Sequence, residues 1–199
     1  MAPVRVQPLV PALAGEFLAL FDRAFPDNPD WSGCYCLYYH CAESPWESTP
    51  ARAAAHRATM AERIEAGLQR GFLATAGGRA VGWLNAGPRQ GYSNPRGYEG
   101  DADAWAMCFV VDPAWRGRGV GTALLAGALA AFRAKRLRAV EAFPRPAPTT
   151  GAPAGTAGAT PADDFATTAY KGPLSTYLKA GFEPVGPGAH GTVVVRATL

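Results

Sequence analysis

The chain has 199 residues, enough for one domain of ordinary size, and 48% of them are hydrophobic, enough to bury a sizeable core. Its 19 basic and 16 acidic residues leave a net charge of +3, too mild for the dense basic stripe of a duplex nucleic-acid binder. Met-Ala-Pro-Val-Arg at the start lacks the apolar core of a signal peptide, and the longest nearly apolar run is too short and too rich in Gly and Ala to span a bilayer. We therefore expect a soluble cytoplasmic protein with no nucleic-acid and no membrane partner.

Val4 to Pro8 alternates weakly and predicts an edge strand. From Pro11 to Phe25 the residues Leu13, Phe17, Leu18, Leu20 and Phe21 share a helical face, with Pro11 near the start. Pro26 to Pro50 is irregular and dense in aromatics: Trp31, Tyr35, Tyr38, Tyr39 and Trp46. Cys34, Cys36, His40 and Cys41 also fall here. Structural zinc sites separate paired ligands by two to four residues, and this spacing departs from that, so we expect no metal and reduced cysteines that pack as small apolar residues. Pro50 to Leu68 predicts a second helix capped by Ser48 or Thr49. Two apolar runs around Gly77-Gly78, Gly71 to Ala76 and Ala80 to Ala86, predict a hairpin. A polar loop, Gly87 to Gly100, follows.

The stretch from Ala104 to Arg136 organises the rest. Trp105 to Val111 is a short apolar run stopped by Asp112-Pro113, which suits a buried strand. Arg116-Gly117-Arg118-Gly119-Val120-Gly121-Thr122 then opens a helix whose apolar face is Leu124, Leu125, Ala128, Leu129 and Phe132. A glycine loop at a helix start leaves unpaired N–H groups facing outward, with the positive end of the helix dipole behind them. That arrangement suits phosphate. Leu137 to Phe143, ending at Pro144, predicts a strand parallel to the first through a right-handed crossover. Arg145 to Asp164 is Pro, Ala, Gly and Thr with almost no large apolar residue and predicts a flexible insertion, at about 145–164. Pro173 to Ala180 predicts a short helix with Pro173 in its first turn and Gly181 as its stop. Phe182 to Val185 and Thr192 to Arg196 predict a closing pair of strands. These elements give a mixed α/β (α+β) domain with hairpins around one crossover.

Three glycine patterns compete for the loop. A nucleoside-triphosphate loop needs Lys after its last glycine, and none follows Gly121. A dinucleotide fingerprint starting at Gly117 would put its third glycine on Thr122. The third pattern, Arg116-x-x-Gly119-x-Gly121 after a strand and opening a helix, resembles the acetyl-coenzyme A loop of the GNAT superfamily of N-acetyltransferases. Tyr177-Leu178-Lys179-Ala180-Gly181-Phe182 resembles the family's late segment, a Tyr followed four residues on by Gly-Phe. The order of elements is similar from Val4 onward, which implies one acetyltransferase domain over 1–199. It also implies a central mixed, mostly antiparallel sheet with one parallel pair and helices on both faces.

The resemblance implies that acetyl-coenzyme A is the co-substrate. The backbone around Phe109, Val110 and Val111 would hold its pantetheine arm, and the groups of Arg116, Gly117, Arg118, Gly119, Val120, Gly121 and Thr122 its pyrophosphate. Tyr177 matches the general acid that protonates the departing thiolate as an amine attacks the thioester directly. Glu141 interrupts an apolar strand beside the coenzyme strand and is our first candidate for the base, ahead of Glu99, Asp101, Asp103 and His40. In many relatives ordered water carries that role instead. Many members have Asn seven residues before the acid tyrosine, and this chain has Tyr170 there. The acceptor, expected to be a small-molecule primary amine, would lie against the aromatic loop of Pro26 to Pro50, with Asn85 and Arg89 as further polar contacts. Aromatic faces suit an apolar or cationic amine. A homodimer is compatible with the resemblance. A non-catalytic acyl-coenzyme A sensor or interaction module on the same fold is the alternative function.

Overall fold

The computed structural model describes residues 2–41, 46–146 and 169–199. The expected insertion therefore lies outside the described residues, apart from Arg145 and Pro146. Seven strands form one sheet in the order β1-β2-β3-β4-β5-β7-β6. They are β1 Arg5–Pro8, β2 Phe72–Ala76, β3 Arg79–Pro88, β4 Ala104–Val111, β5 Ala139–Ala142, β6 Glu183–Pro187 and β7 Val193–Thr198. All neighbours run antiparallel except β4 and β5, which are parallel. The strand expected at Val4 to Pro8 is at the sheet edge, and the Gly77-Gly78 hairpin joins β2 to β3.

Helices cover both faces. On one, α1 (Ala14–Phe21), α2 (Ala53–Glu65) and the aromatic loop pack over Leu73, Trp83, Trp105, Met107, Val110 and Phe143. Phe17 meets the fully buried Trp83 edge-on, with ring centres 4.8 Å apart. On the other, α3 (Val120–Ala134) and α4 (Leu174–Lys179) close over Leu84, Ala104, Ala106 and Val140. The long β3 is buried along its interior because it has a layer on each side. Gly82 lets α3 approach it: a Cβ there would stand 2.6 Å from Val120 Cγ1.

Three helix starts differ from expectation. The first and second helices each begin with a 3-10 turn, Pro11–Leu13 and Pro50–Arg52, and Thr49 is the N-cap of the second but makes no side-chain capping bond. Ser48 Oγ instead donates to the Asp30 carbonyl at 2.7 Å, which turns the loop back on itself. α1 stops at Phe21, short of the expected Phe25, and the residues just after it make tertiary bonds. Asp22 accepts from Tyr35 Oη (2.6 Å) and Arg57, and Arg23 Nε donates to Asp112 at 2.9 Å. Pro173 is the N-cap of α4 rather than a first-turn residue.

Candidate active site

The sheet opens where β4 leaves β5. Their pairing runs over Ala104↔Val140, Trp105↔Glu141 and Ala106↔Ala142, and β5 ends there. The β3–β4 register shifts between Asn85 and Ala86, so that Met107 is an extra residue in β4. Such a bulge bends and twists its strand. β4 continues to Val111 alongside β3, and its other edge passes beyond the end of β5. Backbone groups on a strand edge seek hydrogen-bond partners, and an extended amide ligand can supply them.

The open edge runs into the glycine loop. Asp112 accepts from Ala114 N at 3.0 Å and sets the turn of Pro113–Trp115. Gly117 and Gly119 both have left-handed backbones, with φ of +71° and +77°, and Gly119 is the N-cap of α3. The first intrahelical bond arrives at Ala123 N, which leaves the N–H groups of Val120, Gly121 and Thr122 at the helix mouth. Arg116 reaches back instead to Asp27 Oδ2 (2.9 Å) and Ala24 O (3.2 Å), fastening the loop to the end of the first helical segment. Arg118 lies over Trp115, 6.0 Å from its ring centre.

Tyr177 joins this arrangement from α4. Its ring is fully buried between Phe109 and Phe182, at centre distances of 5.7 and 5.4 Å. Its hydroxyl donates to the Lys171 carbonyl at 2.8 Å, and burial pushes its pKa well above the ordinary phenol value. Thr176, one residue earlier, faces Gly121. The acid candidate, the coenzyme strand and the glycine loop are thus neighbours.

The base candidates are placed elsewhere. Glu141 is buried and held by Arg196 of β7 and by the N–H of Ala102, and it does not line the cavity described next. Asp103 accepts from the N–H and guanidinium of Arg138, which pulls its pKa down to about 2. Asp101 pairs with Arg196, and Glu99 is exposed. His40 is buried against Tyr92, and desolvation lowers its pKa to about 4. Arg89 is exposed, whereas Asn85 is fully buried on β3 opposite the β4 bulge.

A cavity of about 190 Å³ lies on the α1/α2 face, beside the open part of β4. Its walls are mainly aromatic: Phe21, Trp31, Tyr38, Tyr39, Trp46 and Tyr170. Val110, Cys108 and Cys36 also line it. Tyr170, where many family members carry Asn, stands edge-on to Trp31 at 5.5 Å. Lys171, which no motif in the sequence marks, is buried with Nζ 3.8 Å from the centre of Tyr98 and 4.7 Å from that of Tyr39. Its amine has no hydrogen-bond partner among the described residues, and desolvation lowers its pKa to about 7. The exception to the reduced, packing-only expectation for the cysteines is Cys36. All four are free thiols, but its sulfur also accepts hydrogen bonds from Trp83 and Asn85. The one hint in sequence was the crowding of Cys with aromatics between residues 31 and 46.

A family model described as the acetyltransferase (GNAT) family matches residues 31–152, more than half of the chain. The chain belongs to the GNAT acetyltransferase family. Solved structures of similar fold include an acetyltransferase of the GNAT family from Desulfovibrio desulfuricans (16% identity, 98% of this chain and 99% of that one, TM-score 0.53). Another is the PaiA N-acetyltransferase of Thermoplasma acidophilum in complex with coenzyme A (12%, 99% of each chain, TM-score 0.52). A third is the ribosomal-protein-alanine N-acetyltransferase of Brucella melitensis (17%, 98% and 99%, TM-score 0.51). At these identities the likeness is one of fold. No curated protein matches the chain in sequence. Among the described residues of this GNAT chain, no helix is long and apolar enough to cross a membrane. No group of three or more His, Cys, Asp or Glu among them is placed to hold a metal ion.

Proposed function

We propose that the protein moves the acetyl group of acetyl-coenzyme A to the primary amine of a small acceptor held in the aromatic cavity. The observation that carries this reading is the continuity of β4: its edge clears β5 after Ala106, ends at the glycine loop, and backs onto the cavity through Cys108 and Val110. The coenzyme would lie along Phe109, Val110 and Val111 like an added strand. Its pyrophosphate would meet the N–H groups from Gly117 to Thr122, since glycine lets the backbone approach without a Cβ clash. The aromatic walls favour an acceptor with an apolar or cationic body. Tyr177 is the acid: burial keeps its phenol protonated, and its ring stands edge-on to Phe109 of the strand that would hold the coenzyme. Glu141 is fastened to Arg196, so we assign it to holding β5 against β7 and leave removal of the acceptor's proton to water in the cleft.

A sensor of acyl-coenzyme A is the second reading. It is favoured by the commitment of Tyr177 Oη to the Lys171 carbonyl and by the lack of a carboxylate among the described residues lining the cavity. Thermal shift with acetyl-coenzyme A, followed by thiol release with a panel of arylalkyl and aliphatic primary amines, separates the two. Stabilisation with amine-dependent thiol release is expected. Stabilisation without release on any amine would leave the sensor, and no stabilisation would remove both.

A further inference from the structure

Cys36 lies in the wall shared by the cavity and the sheet. Its Sγ accepts hydrogen bonds from Trp83 Nε1 at 3.3 Å and from Asn85 Nδ2 at 3.1 Å, both on fully buried side chains of β3. The Asn85 carbonyl oxygen accepts from Tyr92 Oη at 3.2 Å, which turns the amide N–H toward the sulfur. Two N–H donors converging on one buried sulfur match the needs of a thiolate, an acceptor that has no proton of its own to give. The thiol of Cys108 on β4 is a third neighbour. The backbone carries the sulfur there at a cost: Tyr35 and Cys36 are consecutive non-glycine residues with φ of +39° and +61°. Such outliers cluster at functional sites.

A second observation is independent of these bonds. The amine of Lys171 is fully buried, has no hydrogen-bond partner among the described residues, and places its charge where it favours a negative sulfur at Cys36. A buried amine of this kind keeps its charge only where an anion or a polar partner is near it. The cavity cysteines also differ from one another: burial raises the thiol pKa of Cys34 to about 12, whereas the contacts from Cys108, Trp83 and Asn85 hold Cys36 below the ordinary thiol value.

We propose that Cys36 is a nucleophile that receives the acetyl group, so that transfer to the amine passes through an S-acetyl cysteine in place of direct attack. This rests on the acetyltransferase reading above. The Cys36 sulfur attacks the thioester carbonyl carbon, forming a new C–S bond, and the bond from that carbon to the coenzyme sulfur breaks. The electron pair leaves on the coenzyme sulfur, which takes a proton from Tyr177; the proton that Cys36 gave up on ionising restores the phenol through water in the cleft, so one thioester replaces another with no oxidant or reductant. The acceptor amine then attacks the acetyl-cysteine, forms the amide, and returns a proton to the cysteine sulfur. Cys108 and Val110 connect the coenzyme strand to Cys36 across the same cavity.

The test treats the full chain with acetyl-coenzyme A alone and follows coenzyme thiol release and intact mass. One equivalent of thiol released per chain, with one acetyl group mapped to Cys36 and removed by neutral hydroxylamine, is expected. Adding the most active amine of the panel should discharge the label at least as fast as steady turnover. Cys36→Ala and Cys36→Ser should lose both burst and label, while Cys41→Ser, outside the cavity, keeps both. Amine-dependent turnover in the wild type with no label on Cys36, or a label that persists during turnover, overturns the proposal and leaves the acetyltransferase reading intact. Because this trapping uses the unaltered chain, it decides the matter even if the Cys36 variants fold poorly. Failure of acetyl-coenzyme A to bind removes both readings together.

Discussion

Glu141 on β5 stands directly opposite Arg196 on β7, and the two close an ion pair of 2.6 Å around a carboxylate that is almost fully buried. Arg196 keeps a third of its side chain in solvent, so the pair is softer than a fully enclosed one. Replacing Arg196 by Met leaves the carboxylate buried without its partner and should cost on the order of 2–3 kcal/mol, below the range for a fully buried pair. Glu141→Gln keeps an acceptor for Arg196 and should leave kcat within about twofold. A general base would lose roughly a hundredfold or more. Urea melts and steady-state kinetics of the two variants check this, and a large kcat loss in a stable Glu141→Gln would return the base role to Glu141.

Gly121 offers a way to perturb the coenzyme loop without perturbing the fold. A Cβ there would meet Thr176 Cγ2 at 3.6 Å, an ordinary contact, and the residue lies in regular helix. Gly121→Ala should therefore leave thermal stability nearly unchanged. If the helix mouth holds the pyrophosphate, the added methyl should weaken one charge-assisted bond of about 1.5–3 kcal/mol, raising KM for acetyl-coenzyme A about tenfold or more. Titration calorimetry reads the loss directly.

Tyr177→Phe removes the 2.8 Å bond to the Lys171 carbonyl and the proposed acid in one step. The lost hydrogen bond should cost about 1 kcal/mol of stability. Loss of a general acid should lower kcat by roughly 10²–10⁴ with acetyl-coenzyme A binding preserved. Since burial holds the phenol protonated well above its ordinary value, the wild type should show no alkaline loss assignable to this group below a pH of about 10. Unchanged kcat in Tyr177→Phe would remove the acid role.

Lys171 should shape the pH dependence of stability. It is enclosed by Tyr39, Tyr98, Tyr170 and Phe143, with Cys36, Cys108 and Arg145 as the charged or titratable neighbours beyond them. Desolvation brings its pKa from 10.5 to about 7. Between those values the unfolded chain holds a proton that the folded chain has released, so stability rises with pH across the window. Below about pH 7 both states are charged and the penalty of burying the ammonium is at its full size. Lys171→Met should raise the melting temperature most at and below neutral pH and flatten the rise above it. A Tm profile parallel to the wild type's from pH 6 to 10 would contradict the placement of the amine.

Most of the architecture was legible because its signals are local. The Gly77-Gly78 turn, the stop at Asp112-Pro113 and the apolar face from Leu124 to Phe132 are patterns within a few residues, and each became the expected element. The crossover from β4 through α3 to β5 followed from chain order alone. The capping bond expected from Ser48 or Thr49 did not form, because Ser48 is recruited by Asp30, 18 residues earlier. Arg116 reads as a coenzyme charge in the motif, yet in the fold it binds Asp27, 89 residues away.

The sequence alone therefore determined the strands, the helices, the glycine loop and its family, since hydrophobic period, turn residues and helix starts are written in neighbouring positions. Only the tertiary structure decided which carboxylate is tied down and which sulfur is served by donors. Glu141 and Arg196 are 55 residues apart, and Cys36 and Asn85 are 49 apart. Sheet register and the packing of a loop over a bulge bring such pairs together. Those contacts depend on the whole core closing at once, so no local stretch encodes them.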